Sequence, residues 1–402
     1  MGLKVAVVGG GSTYTPELVE GFARRAAILP IDELVLMDPD AGRLEIVGGQ
    51  AARFVDETLP HRFGAIGQET TGPGGFAKAL RTVPLVLDIA NEAARRGAPG
   101  SWILDFTNPV GIVTQALLDE GHRAMGLCNV AIGFQRQFAA HFGVDPGRVR
   151  LDHVGLNHLS WIRAVLVDGA DRLPDLLAAG DPLVTADEHF PLELVRALGA
   201  VPSYYLRYYY ATDDVLREQR DGANRASDVM AIERELLDLY RDPSLDRKPE
   251  LLEQRGGAYY SEAAAALIES LHTGDGAIHV VDVRNAGAIP GLGDDDVVEL
   301  SARITRDGAE PLPTAPLAHE LRALVLHVKE YEHLTIEAAL SGDDTVALRA
   351  LLANPLVPGA AAASGLRDAL IEANLPYLPR FVASGHGGTA NAANAANPRG
   401  AS

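Results

Sequence analysis

The chain has 402 residues, which is enough for two domains, and its hydrophobic fraction of 47% supports a large core. Its 54 acidic and 35 basic residues give a net charge of -19, which argues against nucleic acid and anionic membranes as partners. Cys128 is the single cysteine, so an intrachain disulfide is excluded. No apolar segment has the length of a signal peptide or a membrane span. We therefore expect a soluble cytoplasmic protein.

The first 150 residues alternate apolar runs with amphipathic runs. They predict strands at residues 3–8, 33–37, 102–106 and 124–128, and helices at residues 17–27, 75–96, 109–120 and 133–142. Thr15 and Asn108 each precede a proline, a pattern typical of an N-cap residue followed by the first helical residue. The alternation predicts an α/β fold with a Rossmann-like domain at residues 1–150, in which helices cover a parallel sheet.

The second half changes character. It predicts paired strands over 150–167, a strand at 278–284, and helices at 192–210, 227–240, 261–272, 317–340, 345–353 and 365–375. This mixture indicates an α+β substrate and metal domain at residues 151–384. The tail, 385–402, is rich in Gly, Ala and Asn and is predicted to be disordered.

A glycine-rich loop at residues 9–14 follows the first strand and opens the first helix. Gly9 and Gly11 match the first two spaced glycines of the dinucleotide fingerprint, although Tyr14 stands at the third glycine position. Asp38 ends the second strand, where a carboxylate can bind both ribose hydroxyls and favour NAD over NADP. The alternative is a tight strand-to-helix turn without a ligand.

Two further features suggest chemistry. The thiolate of Cys128 and the imidazole of His158 could together hold a transition metal such as Mn²⁺, although a buried cysteine and a structural histidine are the commoner explanations. Tyrosines are concentrated in residues 204–210, where most rings are expected to pack and one could act as a base beside a cation. Arg207 and Arg225 are candidates for gripping a phosphate.

These residues stand in longer motifs that resemble glycoside hydrolase family 4. The motifs, in chain order, are VVGGGSTYTPELVEGF, GQETTGPGGFAKALRT, DFTNPVGIVTQAL, GLCNVAIG, GLNHLSW, YYLRYYY and RGGAYYSEAA. They extend from the first strand to roughly residue 266. The resemblance implies an NAD- and Mn²⁺-dependent glycosidase, a family outside the usual two-carboxylate mechanism.

The resemblance also implies roles for single residues. Cys128 and His158 resemble the metal ligands and Tyr205 the catalytic base. The residues on the cofactor side are Gly9, Gly11, Ser12, Thr13, Asp38 and Glu69, and the expected substrate contacts are Asn108, Asn129 and Arg225, with Ser12 also a candidate for sugar or phosphate. Asn129 favours 6-phospho-β-glucosides over α-glucosides.

The mechanism implied by the family has four steps. NAD⁺ takes a hydride from C3 of the sugar, and the metal polarises the new ketone. Tyr205 then removes the acidified C2 proton and the aglycone leaves by elimination. Water adds, and the ketone is reduced back, so that NAD⁺ is regenerated.

Three departures from the family pattern are visible. Ala131 stands where a proline is usual, and Asp105 where an asparagine is usual. Between Gly49 and Gln50 a strand–helix–strand segment of roughly 30 residues or more is missing, judged by the size of such units. We expect the loss of two strands to expose sheet edges and apolar faces, to weaken NAD binding and to impair activity.

Two other functions remain open from the sequence. An NAD-dependent hydroxy-acid dehydrogenase would carry a His–Asp pair and accumulate NADH. A family member without activity could serve as a binding or assembly subunit. For the leading hypothesis we expect a small phosphorylated glycoside as substrate and a homo-oligomer as the assembly.

Overall fold

The computed structural model describes residues 3–9, 12, 15–25, 27–37, 55–186, 189–220, 225–239, 249–254 and 259–383. Several sequence predictions lie outside these residues: Gly11, Thr13, Asp38, the junction between Gly49 and Gln50, and the tail 385–402. The backbone of Arg225 is described, but its side chain is not.

The chain begins with a β–α–β unit. Strand β1, Leu3–Val8, pairs in parallel with β2, Ile31–Met37, and helix α1, Thr15–Arg24, connects them. Gly9 ends β1 in the left-handed region, at φ 79°. Both predicted strands are therefore confirmed.

A second parallel pair follows, made of β3, Ile103–Asp105, and β4, Ala124–Gly126. The helices of this part are α2, Gly72–Arg96; α3, Val110–Asp119; and α4, Asn129–Phe142. The predicted N-cap at Asn108 was wrong, because Pro109 occupies the N-cap of α3 and follows a cis peptide bond.

The second half supplies most of a nine-stranded sheet. Its strands are β5, Val149–Leu156; β6, Leu159–Val167; β7, Ala170–Asp171; β8, Val201–Pro202; β9, Ile278–Arg284; β10, Val297–Thr305; and β11, Gly308–Pro311. The order is β3-β4-β9-β10-β5-β6-β7, with β11 on β10 and β8 on β6. The expected Rossmann-like and α+β parts are both present, and the boundary at residue 150 stays a prediction.

Helices cover this sheet. They are α5, Leu173–Ala179; α6, Leu192–Leu198; α7, Arg207–Tyr210; α8, Thr212–Arg220; α9, Arg225–Leu239; α10, Leu251–Gln254; α11, Tyr260–Thr273; α12, His319–Ser341; α13, Asp344–Leu352; α14, Ala360–Asn374; and α15, Pro379–Ala383. In the part of the chain that the structure describes, none of the helices has the length and hydropathy of a membrane span.

The single helix predicted over 192–210 was wrong, because α6 ends at Leu198. The chain then pairs with β6, with Val201 opposite Ile162 and Pro202 opposite Trp161. A proline lacks the N–H that a helix interior needs, so the chain turns to an edge pairing instead. The break separates the tyrosine-rich segment from α6. Strands β10 and β11 were not predicted.

The two halves meet where β4 pairs with β9, with Gly126 opposite Asp282. A Cβ at position 126 would lie 2.8 Å from the Cβ of Asp282, closer than real Cβ contacts allow. Glycine therefore lets the short parallel pair join the larger antiparallel sheet.

The β1–β2 sheet is not hydrogen-bonded to the larger sheet within the described residues. It has a small core of its own, in which Phe22 and Leu29 pack with Ala265 of α11. Leu36 and Met37 are each 50% exposed, an unusual level for strand residues of this size. Consecutive strand residues point to opposite faces, so β2 exposes apolar side chains on both of its faces, which agrees with the exposure expected from the missing segment.

Candidate active site

His158 stands at the tip of the hairpin between β5 and β6. Leu156 pairs with Leu159, so Asn157 and His158 form the turn, and His158 has a φ of 62°, which is uncommon for a residue with a Cβ. The imidazole is buried, its Nδ1 lies 3.1 Å from the Thr70 hydroxyl oxygen, and its Nε2 has no hydrogen-bond partner.

Burial lowers the pKa of His158 to about 4, so the ring is neutral at physiological pH. A neutral imidazole with one nitrogen held and the other free is the arrangement of a metal ligand. Thr70 was not among the residues that the sequence pointed to, since a single threonine in a loop carries no signal of its own.

Tyr205 stacks directly on His158. The ring centroids are 3.6 Å apart with an angle of 13° between the planes, and Tyr204 stacks on the other side at 4.2 Å. Burial, followed by the charge effect of Tyr204, raises the pKa of Tyr205 well above 10.0. The phenol therefore stays protonated at neutral pH unless a positive charge lies beside it.

Cys128 follows β4 and takes the N-cap position of α4, where it is buried. Burial, then the negative charge of Glu299, raises the pKa of its thiol well above 9.0, and the neighbouring Tyr260 offsets only a small part of this shift. The thiol also acts electrostatically on Tyr205. Tyr205 therefore stacks on His158 and lies within electrostatic range of Cys128, and the meeting of the two candidate ligands at one point stays a prediction.

A cluster of three or more histidine, cysteine, aspartate or glutamate ligands is not found among the described residues. A cation bound by Cys128 and His158 would therefore take its remaining ligands from substrate or water, as an open catalytic site requires. The assignment of Cys128 and His158 as the two protein ligands stays a prediction.

Asn108 and Asn129 follow neighbouring parallel strands, three residues beyond the paired Asp105 and Gly126. The Oδ1 atom of Asn108 is buried and has no hydrogen-bond partner, and Oδ1 of Asn129 lies 4.0 Å from the sulfur of Cys128. Polar groups just beyond the carboxyl ends of parallel strands are the usual place for ligand contacts in such sheets.

Glu69 forms an ion pair with Lys78 at 3.1 Å, and both charges act on the pKa of His158. Glu69 is therefore close to the candidate metal ligand, and its contact with the cofactor stays a prediction. Lys78 was not predicted.

The glycine loop is partly described. The N–H of Gly9 donates to the carbonyl of Met37 at 2.8 Å, and none of the described residues has an atom within 4 Å of the position that a Cβ at residue 9 would take. This open space and the left-handed backbone suit the close approach of a pyrophosphate. Ser12 is exposed beside this turn.

Buried carboxyl groups lie behind the candidate ligands and were missed by the sequence analysis. Burial, then the charge of Glu299, raises the pKa of Asp282 well above 3.8. Burial is also the largest effect on Glu299, but the hydrogen bond and charge of His153, together with Ser160 and His158, outweigh it and hold the pKa of Glu299 below 4.5. Burial thus favours the neutral form of Asp282, and hydrogen bonding favours the charged form of Glu299.

The chain is similar to known 6-phospho-β-glucosidases over nearly its whole length. It is 38% identical to the "Probable 6-phospho-beta-glucosidase" of Bacillus subtilis (strain 168), covering 94% of this chain and 98% of the relative. A 6-phospho-β-glucosidase structure from Thermotoga maritima, described with manganese, NAD⁺ and glucose-6-phosphate, has 36% identity and a TM-score of 0.87, covering 93% of this chain and 99% of that one.

These comparisons also bear on the missing segment. The alignment with the Bacillus subtilis relative runs over 435 residues, more than the 402 residues of this chain, so the relative carries residues that this chain lacks. The model for "Family 4 glycosyl hydrolase" matches in two pieces, 4–55 and 46–144, which overlap at the proposed junction.

The model for "Family 4 glycosyl hydrolase C-terminal domain" matches residues 153–357. Together the two family models cover most of the chain, and the Bacillus subtilis relative is 38% identical to it. The chain belongs to glycosyl hydrolase family 4.

Proposed function

We propose that this protein hydrolyses 6-phospho-β-glucosides with NAD⁺ and a divalent metal ion, preferably Mn²⁺. The observation that carries the proposal is the stack of Tyr205 on His158, whose buried Nε2 lacks a protein partner. Names and titles of the relatives, which refer to 6-phospho-β-glucosidases, NAD⁺ and manganese, support the substrate and both cofactors.

Cys128 and His158 would hold the metal. The neutral imidazole of His158 offers a lone pair without first losing a proton, whereas the thiol of Cys128 must be deprotonated when a cation binds. When bound, NAD⁺ and the metal ion would supply a hydride acceptor for the sugar C3 and a Lewis acid for the carbonyl formed there.

Tyr205 would accept the proton from C2. Its phenol has a raised pKa, and a cation held by the adjoining ligands would favour the phenolate. The same positive charge would therefore prepare the base and acidify the C–H bond that it attacks. The sheet-edge position of Asn108 and Asn129 supports a role in orienting the sugar, and Asn129 also favours the β-anomer by its likeness to the family pattern.

The remaining assignments belong to the same proposal. The glycine loop with Gly9 and Ser12 would hold the dinucleotide together with Gly11, Thr13, Asp38 and Glu69, and Arg225 would bind the substrate. A cytoplasmic location and a homo-oligomeric assembly are further parts of this proposal.

The test is an assay with a chromogenic 6-phospho-β-glucoside in the presence of NAD⁺ and Mn²⁺. We expect release of the chromophore that stops when EDTA removes the metal, little reaction with the α-anomer, and deuterium at C2 of the product in D₂O. Accumulation of NADH would instead favour the dehydrogenase. Binding of NAD⁺ and Mn²⁺ without turnover would favour a non-catalytic family member.

The level of activity tests the effect of the missing segment. We expect a rate well below that of a family member with the complete domain, assayed in parallel, and weaker binding of NAD⁺. A rate and an NAD⁺ affinity equal to those of the complete enzyme would refute the idea that the shortened domain is damaged.

A further inference from the structure

A buried carboxylate, that of Glu299, supports the β5–β6 hairpin that carries His158. Glu299 lies in β10, directly opposite Asp282 of β9 on one side and Gly155 of β5 on the other. Its side chain is buried in the middle of the sheet, where an ionised group must be compensated by hydrogen bonds.

The two oxygens of Glu299 serve two different donors. Oε2 is 2.7 Å from Nε2 of His153, and Oε1 accepts a hydrogen bond of 3.2 Å from the side-chain amide of Asn157. A carboxylate accepts at both oxygens, whereas glutamine would keep an acceptor for Asn157 but could bind His153 only if Nε2 of that ring became the acceptor. The glutamine would also remove the negative charge, so the position favours a carboxylate.

Asn157 is the residue before His158. Because its side chain is hydrogen-bonded to Glu299, it helps to fix the conformation of the turn. A Cβ at residue 155 would lie 2.7 Å from the Cα of Ser160, which shows how closely the two strands approach before the turn. His158 then adopts a φ of 62°, a region that costs free energy for a residue with a Cβ unless its surroundings fix it.

We propose that Glu299 is a positioning residue for the metal site, acting through Asn157 to hold the free Nε2 of His158 in place. The inference rests on the proposed function, because it assumes that His158 binds the cation. Partners behind a ligand commonly fix its orientation. Asp282 makes a smaller contribution, since its oxygen is 3.5 Å from the amide nitrogen of Asn157, against 3.2 Å for the oxygen of Glu299.

The negative charge of Glu299 serves the same site. It is among the charges that act on both Cys128 and His158, so a cation held between these ligands would also be attracted by it. Glu299 would not contact the cation itself; its effect is transmitted by orientation and by charge.

The experiment measures Mn²⁺ binding to the full chain without substrate, using the EPR signal of free Mn²⁺. Glu299→Gln keeps the shape of the side chain, and Asn157→Ala removes the link to the turn. Ser301→Ala is the matched control, because Ser301 lies on the same strand and donates a buried hydrogen bond of 2.9 Å to Leu151, away from the turn. We expect E299Q and N157A to weaken binding about 10–100-fold and S301A to change it less than about twofold.

Two further measurements distinguish a positioning role of Glu299 from a loss of protein stability. Thermal unfolding of E299Q and S301A controls for lost stability, since each removes a buried hydrogen-bonding group of the same strand. In the Co²⁺-loaded protein, we expect E299Q and N157A to alter the visible d–d bands while keeping the sulfur-to-cobalt charge-transfer band of Cys128. A merely structural role would leave these bands unchanged in the protein that stays folded.

The result also separates this inference from the proposed function. If H158A and C128S abolish binding while E299Q and N157A bind Mn²⁺ as S301A does, the positioning role is refuted and the metal site stands. If H158A and C128S bind Mn²⁺ as the parent chain does, the metal site and the positioning role both fall.

Discussion

Replacing Asp105 with asparagine, the residue that the family resemblance led us to expect there, should stabilise the protein at pH 8 and much less at acid pH. Asp105 ends β3 and is buried, with one oxygen accepting from the N–H of Thr107 at 2.9 Å and the other from the hydroxyl of Thr114 at 3.3 Å. Burial raises its pKa from 3.8 to about 7 despite these hydrogen bonds. Asparagine keeps an acceptor for Thr107 and can donate to the rotatable hydroxyl of Thr114.

The sign follows from proton binding. Between pH 3.8 and about 7 the folded state holds a proton on Asp105 that the unfolded state releases, so stability falls as the pH rises through this range. Above pH 7 the full cost of the buried charge is in place, at most about 4 kcal/mol from the size of the shift, and local relaxation reduces it. We expect D105N to gain about 2–4 kcal/mol at pH 8 and about 1 kcal/mol at pH 4.5.

The assay is urea unfolding at both pH values, followed by circular dichroism, for the parent chain and D105N. Asp307→Asn is the control, because the Asp307 side chain is exposed, and it should shift neither midpoint. An equal gain at both pH values, or a loss at pH 8, would show that the buried carboxyl of Asp105 does not titrate as argued.

Three further predictions concern the base, the exposed face and the junction of the sheets. Tyr205→Phe should lower kcat about 10²–10⁴-fold in steady-state assays, while Mn²⁺ binding persists. The control is Tyr377→Phe, at an exposed tyrosine, which should keep the kcat of the parent chain. Equal losses of kcat in both variants would contradict the role of Tyr205 as the base. Leu36 is an exposed apolar residue of β2, so Leu36→Lys should reduce self-association, measured by light scattering, without lowering the melting temperature. Unchanged scattering would mean that this part of β2 is not the associating surface. Gly126→Ala should destabilise the chain by about 1–3 kcal/mol in urea unfolding, because the added methyl group meets Asp282. Gly133→Ala is the control, because its methyl group would enter open space and should not destabilise the chain. Equal effects of the two substitutions would refute the packing argument.

Much of the architecture was predictable from local patterns. The strands at 3–8 and 278–284 have the bounds that their apolar runs indicated, and the paired strands over 150–167 were expected. Hydrophobic periodicity records which face of an element is buried, and this signal lies in neighbouring residues. The missing segment was also visible, because the flanking motifs are long enough to show their altered spacing.

The site was predictable only as a set of candidates. The family motifs named Cys128, His158 and Tyr205, but no local pattern could show that the ring of Tyr205 stacks on His158. Glu299 carried no signal, because a single acidic residue in an apolar run resembles an exposed strand position. Its role depends on neighbours more than a hundred residues away in the chain.

The sequence by itself determined the helices and strands, the family and the residue types available for chemistry, because neighbouring residues along the chain are enough to indicate helices, strands and motifs. Only the tertiary structure decided which groups meet: the pairing of Gly126 with Asp282, the anchoring of Asn157 on Glu299, and the stack of Tyr205 on His158. These contacts arise from strand pairing and packing between distant segments. The free energies involved depend on burial and distance, which no local pattern records.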